Sequence, residues 1–156
     1  MNHYLVVQRM RYGERIDARI EIDASLLDYL LPKLTLQPLV ENALYHGLEP
    51  KRGPGTLRVR GRVADGAVEI AVEDDGVGMD EGTLASLQAA LHTSAPRGDR
   101  SVGLANVQGR LKLYCGQDYG LTLRSALGEG TTVVIRVPLG LQRAARLPAL
   151  AHVHAQ

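Results

Sequence analysis

The stretch Asp74-Asp75-Gly76-Val77-Gly78-Met79 decides how this chain is interpreted. It follows residues 67–73, where small or apolar residues alternate with acidic ones, and this alternation predicts a β-strand. Two glycines that follow an acidic pair at a strand end let backbone approach a flat ligand while a carboxylate accepts a hydrogen bond. Acidic–glycine turns are common, so this hexapeptide alone gives only weak support for a nucleotide site.

Composition limits the class of protein. The 156 residues suffice for one domain, and 45% hydrophobic with 22% charged residues is ordinary for a soluble globular chain. The net charge of +1 argues against a broad basic surface for nucleic acid. The single cysteine, Cys115, excludes an intrachain disulfide and is interpreted as a buried hydrophobe, and the lack of Phe and Trp predicts an aliphatic core. No apolar run could span a bilayer and no secretory signal pattern is present, so a cytoplasmic domain is expected.

Hydrophobic periodicity predicts a mixed order of strands and helices. A short helix is predicted at 2–12 and a strand at 15–23, followed by a helix at 34–47 with Pro38 in its first turn and Gly47 as its stop. Ser101 is the predicted N-cap of a later helix. The other predicted elements are strands at 56–63, 67–73, 119–127 and 131–137, and helices at 81–91 and 102–114. Without regular β–α–β alternation, this order predicts a two-layer α/β sandwich, with a mixed β-sheet and helices on one face.

Three further segments carry residues that suit a ligand site. Asn42 and His46 are four residues apart on a predicted helix, so they share a face. The segment Ser101-Val102-Gly103-Leu104-Ala105-Asn106 is predicted to be a loop that enters a helix, where free N–H groups bind phosphate. Gly128-Glu129-Gly130-Thr131 is predicted to be a tight turn. Taken singly, each segment also has a purely structural explanation.

The four segments together, in this order, resemble the nucleotide-binding motifs of LytS-type sensor histidine kinases. Leu36-Gln37-Pro38-Leu39-Val40-Glu41-Asn42-Ala43, with His46-Gly47, resembles their N-box, and the segment from Asp74 to Met79 resembles their first glycine box. Val102-Gly103-Leu104-Ala105-Asn106-Val107, followed by Arg110-Leu111, resembles the second glycine box, and Gly128-Glu129-Gly130-Thr131 the last. The resemblance covers roughly residues 4–138. It implies the Bergerat (GHKL) ATP-binding fold of gyrase-type topoisomerases, Hsp90-type chaperones and MutL-type repair proteins.

The resemblance implies ATP and Mg²⁺ as cofactors and assigns residues to the base. Asp74 is expected to accept a hydrogen bond from the adenine amino group, and Thr131 to support the same region through water. Gly76 and Gly78 are expected to let backbone pass close to the base and ribose.

The resemblance also assigns residues to the phosphates. Asn42 is expected to bind Mg²⁺ through its side-chain oxygen, beside phosphate oxygens and waters. Glu41 is a candidate acid/base or orienting residue, His46 is expected near the phosphates, and residues 80–100 are expected to form a mobile lid. The remaining nucleotide-binding candidates are Met79, Arg100, Val102, Gly103 and Leu104.

The reaction implied is phosphoryl transfer to histidine. The ATPase branches of this fold carry a Glu one helical turn before the Mg²⁺-binding Asn, and this chain has Pro38 there, which cannot act as a base. A neutral imidazole is already nucleophilic at pH 7, so transfer to histidine needs such a base less than hydrolysis does. The chain has no Phe and no Pro-His-Phe motif, so the acceptor is expected on an upstream dimerisation helix, and autophosphorylation by this chain alone is not expected.

The expected organisation is the end of a dimerisation helix or linker at 1–13, the ATP-binding domain at 14–138 and a flexible tail at 139–156. The expected partners are the dimerisation and histidine-phosphotransfer domain of a homodimeric parent kinase and a downstream response regulator. Neither nucleic acid nor membrane contact is expected for this domain, although parents of this kind are usually anchored in the inner membrane.

Two other functions stay open at the level of sequence. One is a stand-alone serine kinase of the anti-sigma type, and the other is a degenerate nucleotide-binding module with a regulatory or dimerisation role. Tyr45 stands where many family members have Lys or Arg, and Ser101 stands where the second glycine box often begins. Arg97 or Arg100 in the lid is the candidate for supplying the missing positive charge.

Overall fold

The computed structural model describes residues 12–32, 35–93, 99–140 and 150–152. Its strands are β1 (Ile16–Ile22), β2 (Leu30–Pro32), β3 (Gly55–Ala64), β4 (Ala67–Asp74), β5 (Gly120–Ala126), β6 (Gly130–Pro138) and β7 (Leu150–His152). Five of them form one sheet in the order β1-β3-β4-β6-β5, in which β1 runs parallel to β3 and the other neighbours are antiparallel. The short strands β2 and β7 pair separately.

The helices lie over one face of this sheet. They are α1 (Leu36–Asn42), which continues as a π-helix at Ala43–Leu48, α2 (Glu81–Leu91) and α3 (Asp99–Cys115). Parallel strands need a crossover connection, and α1 with its π-helical extension lies in the crossover from β1 to β3. This connection places α1 against the sheet, where α3 packs beside it.

The register of the sheet gathers the apolar side chains on the helix-covered face. Val59, Val72, Val133 and Leu123 lie opposite one another across four strands and are at most 4% exposed. The apolar stripe of the first helix is buried against them, and its members are Leu39, Val40, Ala43 and Leu44. The core is aliphatic apart from Tyr29, as the lack of Phe and Trp predicts. The predicted two-layer α/β sandwich is confirmed.

The opposite face of the sheet carries charged side chains and stays open to solvent. Ion pairs there join Arg58 to Glu21, Arg60 to Glu73 and Arg62 to Glu69. Exposed pairs of this kind contribute little to stability individually. Their effect is to keep this face polar, so the helices cover only the other one.

The local structure differs from the sequence-based prediction in three places. The first helix does not stop at Gly47, because the π-helix runs through Leu48 and Glu49 N–H donates to the Leu44 carbonyl at 2.8 Å. Ser101 is not an N-cap, because α3 begins two residues earlier at Asp99. The paired strands β2 and β7 were not expected, and β7 lies in the segment for which a flexible tail is predicted. The helix predicted at 2–12 lies outside the described residues except for its last residue.

Asp80 and Cys115 lie at the beginning of α2 and at the end of α3. The Asp80 carboxylate accepts a hydrogen bond from the Thr83 N–H at 2.7 Å and so caps α2, and this bond lowers the pKa of Asp80. Cys115 at the end of α3 is partly buried rather than fully buried as interpreted from the sequence, and burial raises the pKa of its thiol. No helix in the described part of the chain combines the length and apolarity that a bilayer crossing requires.

Candidate functional site

The Asp74 carboxylate is buried where β4 ends, on the helix-covered side of the sheet. Its Oδ1 atom accepts a hydrogen bond from the Gly76 N–H at 2.9 Å, and the residue is 8% exposed. A Cβ atom added at Gly47 would lie 2.4 Å from this same oxygen. The carboxylate therefore lies directly against the π-helix, and a side chain at Gly47 would have to displace it.

The neighbouring carboxylate of Asp75 has a different role. Its Oδ1 accepts a hydrogen bond from the Thr56 N–H at 2.8 Å and lies 3.2 Å from Lys51 Nζ. Asp75 thus holds the beginning of β3 and is exposed, whereas Asp74 is buried against Gly47. The two adjacent acids are therefore structurally distinct, because Asp74 is buried on the helix-covered side and Asp75 is exposed.

The glycines around Asp74 are required by close approach of protein backbone. A Cβ atom at Gly76 would lie 2.1 Å from the Gly47 carbonyl oxygen, and one at Gly78 would lie 2.0 Å from the Ala126 carbonyl oxygen. Gly78 and Gly130 also have positive φ angles of 65° and 98°. The sequence predicts that Gly76 and Gly78 make room for a ligand, and the structure adds that they make room for neighbouring backbone.

Backbone hydrogen bonds join three of the four predicted motifs at this point. The Val77 N–H donates to the Gly47 carbonyl at 3.0 Å, and the Gly128 N–H donates to the Val77 carbonyl at 2.7 Å. The first glycine box is therefore bonded on one side to the N-box helix and on the other to the β5–β6 turn. Thr131, which follows that turn, is the register partner of Asp74 and is 2% exposed.

The N-box residues occupy the junction between the α- and π-helical turns. Asn42 is the last α-helical residue and is 5% exposed, whereas His46 lies one turn later and is exposed. Glu41 is half-buried, and its Oε1 accepts a hydrogen bond from Gln37 Nε2 at 3.0 Å. The structure thus places Asn42 inside the domain, five residues before the glycine that contacts Asp74.

The second glycine box is packed as helix. Gly103 and Leu104 lie within α3, four and five residues after its beginning at Asp99. A Cβ atom at Gly103 would lie 3.8 Å from the Pro38 Cβ, and Leu104 is buried in the core. Val102 is exposed, and the Arg100 side chain lies outside the described part. The expectation of a loop entering a helix at this motif is wrong in this structure, and the phosphate-binding roles stay predictions.

Three residues in this region had no role in the prediction of the site from the sequence. Gly47 was identified only as a helix stop, although its place in the N-box motif was a usable signal. Ser125 contacts both Thr131 and the main chain at Met79, and nothing in its strand pattern distinguishes it. Arg15 donates hydrogen bonds to carbonyls at the end of the π-helix and just after it, which are those of Leu48 at 2.8 Å, Glu49 at 3.1 Å, Gly53 at 3.3 Å and Lys51.

The Asn42 side chain is of a type that suits a magnesium ion bound together with a nucleotide. In the described ranges, no group of three or more His, Cys, Asp or Glu side chains is placed to hold a metal. Asn42 offers an amide oxygen, which is the hard type of ligand that Mg²⁺ prefers. Mg²⁺ usually binds one or two protein ligands and completes its coordination with waters and substrate phosphates, so Asn42 fits such an ion.

Replacing Gly47 with alanine is expected to weaken nucleotide binding about tenfold, because the new methyl group forces the Asp74 carboxylate out of its position. Gly47 has no positive φ, so alanine suits its backbone and the effect isolates the contact. The measurement is the dissociation constant for ATP by calorimetry. Gly109→Ala is the matched control, since Gly109 is also helical and a Cβ there meets nothing within 4 Å. Equal affinities of the two variants would contradict the contact.

The sheet and the site define a nucleotide-binding domain of the histidine-kinase-like class. Comparison with known proteins agrees with this class. The chain belongs to the family of histidine kinase-, DNA gyrase B-, and HSP90-like ATPases, whose sequence model matches residues 28–141. It is 41% identical over 138 residues to the sensor histidine kinase YesM of Bacillus subtilis, which covers 88% of this chain and 22% of that protein. It is 33% identical over 136 residues to the sensor protein LytS of Oceanobacillus iheyensis, with 86% and 23% covered.

Solved structures agree on the fold. The catalytic domain of the histidine kinase ThkA superposes with a TM-score of 0.61 at 16% identity, covering 88% of this chain and 87% of that one. The resemblance to the catalytic domain of LytS-type sensor histidine kinases is thus confirmed, and so is the GHKL fold. The chain spans about a fifth of the length of YesM and LytS.

Proposed function

We propose that this chain is the ATP-binding catalytic domain of a two-component sensor histidine kinase. It binds Mg·ATP and presents the γ-phosphoryl group to a histidine on the dimerisation helix of a parent kinase. The observation that carries the proposal is the buried Asp74 carboxylate, which lies between Gly47 of the N-box helix and the Gly76 turn. Membership in the ATPase family supports it independently.

In this proposal the base binds at Asp74. One carboxylate oxygen accepts a hydrogen bond from the Gly76 N–H, which fixes the orientation of the group, and the adenine amino group donates to the other oxygen. Thr131 lies beside Asp74 in the register and supports the same region. Gly76, Gly78 and Met79 form the wall of the base and ribose site.

The phosphates bind toward the helix side in this proposal. Asn42 holds the magnesium ion, which neutralises phosphate charge when it is bound, and His46 lies near the phosphates. Glu41 orients groups at the same helix junction. The second glycine box and the lid supply the remaining contacts, which come from Arg100, Val102, Gly103 and Leu104.

The acceptor in this proposal is histidine and not water. Pro38 occupies the first turn of α1, where the ATPase branches carry a Glu, and it has no group that can take a proton from water. The partners are the dimerisation and histidine-phosphotransfer domain of a homodimeric parent and a response regulator. A cytoplasmic position of the domain goes with these partners.

Titration with ATP in the presence and absence of Mg²⁺ tests this function. Wild-type chain is expected to bind ATP about tenfold more tightly with Mg²⁺, and Asn42→Ala is expected to lose most of this difference because it removes the amide ligand. Gln117→Ala, which removes an exposed amide on the turn before β5, is the matched control and is expected to behave as wild type. Absence of ATP binding by folded wild-type chain would overturn the proposal in favour of a degenerate module.

A further inference from the structure

The Ser125 hydroxyl lies at the centre of three polar contacts next to the candidate base site. The Met79 N–H donates to Ser125 Oγ at 2.9 Å, and Ser125 Oγ lies 2.8 Å from the Gly130 carbonyl oxygen. The Thr131 Oγ1 atom is also 2.8 Å from Ser125 Oγ. Ser125 therefore connects the first glycine box on one side with the last glycine box on the other.

The positions of the hydroxyl protons follow from these contacts. A serine hydroxyl has one proton to donate and can accept two hydrogen bonds. The Gly130 carbonyl can only accept, so the contact between it and Ser125 is favourable only if Ser125 donates its proton there. The proton between the two hydroxyls must then come from Thr131, and all three contacts become hydrogen bonds.

This arrangement leaves Thr131 as an acceptor toward the site. Its proton is committed to Ser125, so only its oxygen lone pairs remain available. Thr131 is the register partner of Asp74 on one side and of Ser125 on the other, and it is 2% exposed. The Asp74 carboxylate, when ionised, is likewise an acceptor. The end of the central strands thus presents two neighbouring acceptors, and a group that binds between them must donate.

We propose that Ser125 is a specificity-determining positioning residue, which holds the Thr131 hydroxyl as an acceptor beside Asp74 and so selects a 6-amino purine over a 6-oxo purine. The inference rests on the proposed function, since it requires that the base binds at Asp74. The adenine amino group donates two hydrogen bonds and suits this pair. The O6 atom of guanine only accepts, so it would face two acceptors without a proton between them.

The test compares dissociation constants for Mg·ATP and Mg·GTP in wild type, S125A, T131V and the S125A/T131V double variant. In S125A the Thr131 hydroxyl is free to turn and donate to O6, so the preference for ATP over GTP is expected to fall about tenfold. T131V is expected to reduce the preference to a similar degree, and the double variant is expected to show no further loss, because Ser125 acts through Thr131. S125T keeps the hydroxyl and is expected to keep the preference.

A purely structural role of Ser125 gives a different result. It would weaken ATP and GTP binding by the same factor. An unchanged ratio of the two dissociation constants in folded S125A would therefore overturn the inference. ATP binding by the same variants would still support the proposed function. The inference would also be overturned if S125A reduced the preference for ATP in the T131V background as much as it does in wild type. If S125A does not fold, T131V and S125T decide, because an unchanged preference in T131V or a lost preference in S125T refutes the mechanism. Failure of wild type to bind either nucleotide would refute the proposed function and this inference together.

Discussion

Replacing Asp74 with asparagine is expected to weaken ATP binding by about 1–3 kcal/mol, which is roughly five- to 150-fold. The Asn amide oxygen takes over the bond from the Gly76 N–H, because that bond requires an acceptor. The NH₂ group then occupies the position of the second carboxylate oxygen and meets the adenine amino group, donor against donor. Calorimetric titration with Mg·ATP measures the difference.

Asp75→Asn is the matched control for this substitution. It makes the same chemical change one residue away, but its side chain bonds the Thr56 N–H and pairs with Lys51 instead of facing Gly47. Its ATP affinity is expected to stay within about twofold of wild type. If the two variants bind ATP equally well, Asp74 does not read the base.

Replacing Gly130 with alanine is expected to lower the free energy of unfolding by about 3–5 kcal/mol, a large fraction of the stability of a small domain. The new Cβ would lie 2.0 Å from the Asp74 carbonyl oxygen and 2.9 Å from the Asp75 Cα. Both are backbone atoms, so no side-chain rotation relieves the contact. The φ angle of 98° adds strain of its own. Urea unfolding followed by circular dichroism gives the value.

The Gly128→Ala variant separates the two contributions. Gly128 also has a positive φ, of 79°, but a Cβ there meets nothing within 4 Å. This variant is expected to lose only about 1 kcal/mol, which is the cost of the backbone conformation. A loss as small as this in Gly130→Ala would show that the two turns do not approach each other as described.

The sheet was predictable from the sequence because side-chain alternation reports directly on it. Strands β1, β3, β4, β5 and β6 were predicted to within one residue at each end. The two residues between β3 and β4, Asp65 and Gly66, both have positive φ, which suits a two-residue hairpin turn. The helix-covered face and the aliphatic core followed from the same pattern. These features depend on local periodicity, which a single sequence contains.

The details of the site were less predictable because they depend on contacts between distant segments. The π-helical turn at Ala43–Leu48 changes the number of residues per turn, and hydrophobic spacing over six residues does not reveal this. α3 begins at Asp99, two residues before Ser101, and packs against α1, which the N-cap preference of Ser101 does not reveal. The contact of Gly47 with Asp74 and the three bonds of Ser125 join residues that are far apart in the chain. The proposed domain boundaries and the residue roles stay predictions.

The Arg15 side chain forms several hydrogen bonds that connect the amino-terminal side of the domain to the segment after the Asn42 helix. The carbonyls that its guanidinium binds include that of Leu48, the last residue of the π-helix, and that of Glu49, the next residue. Hydrogen bonds of one side chain therefore link the residue just before β1 to the segment just after the Asn42 helix. A displacement of the polypeptide at Arg15 would therefore act on the segment after the Asn42 helix directly through these hydrogen bonds.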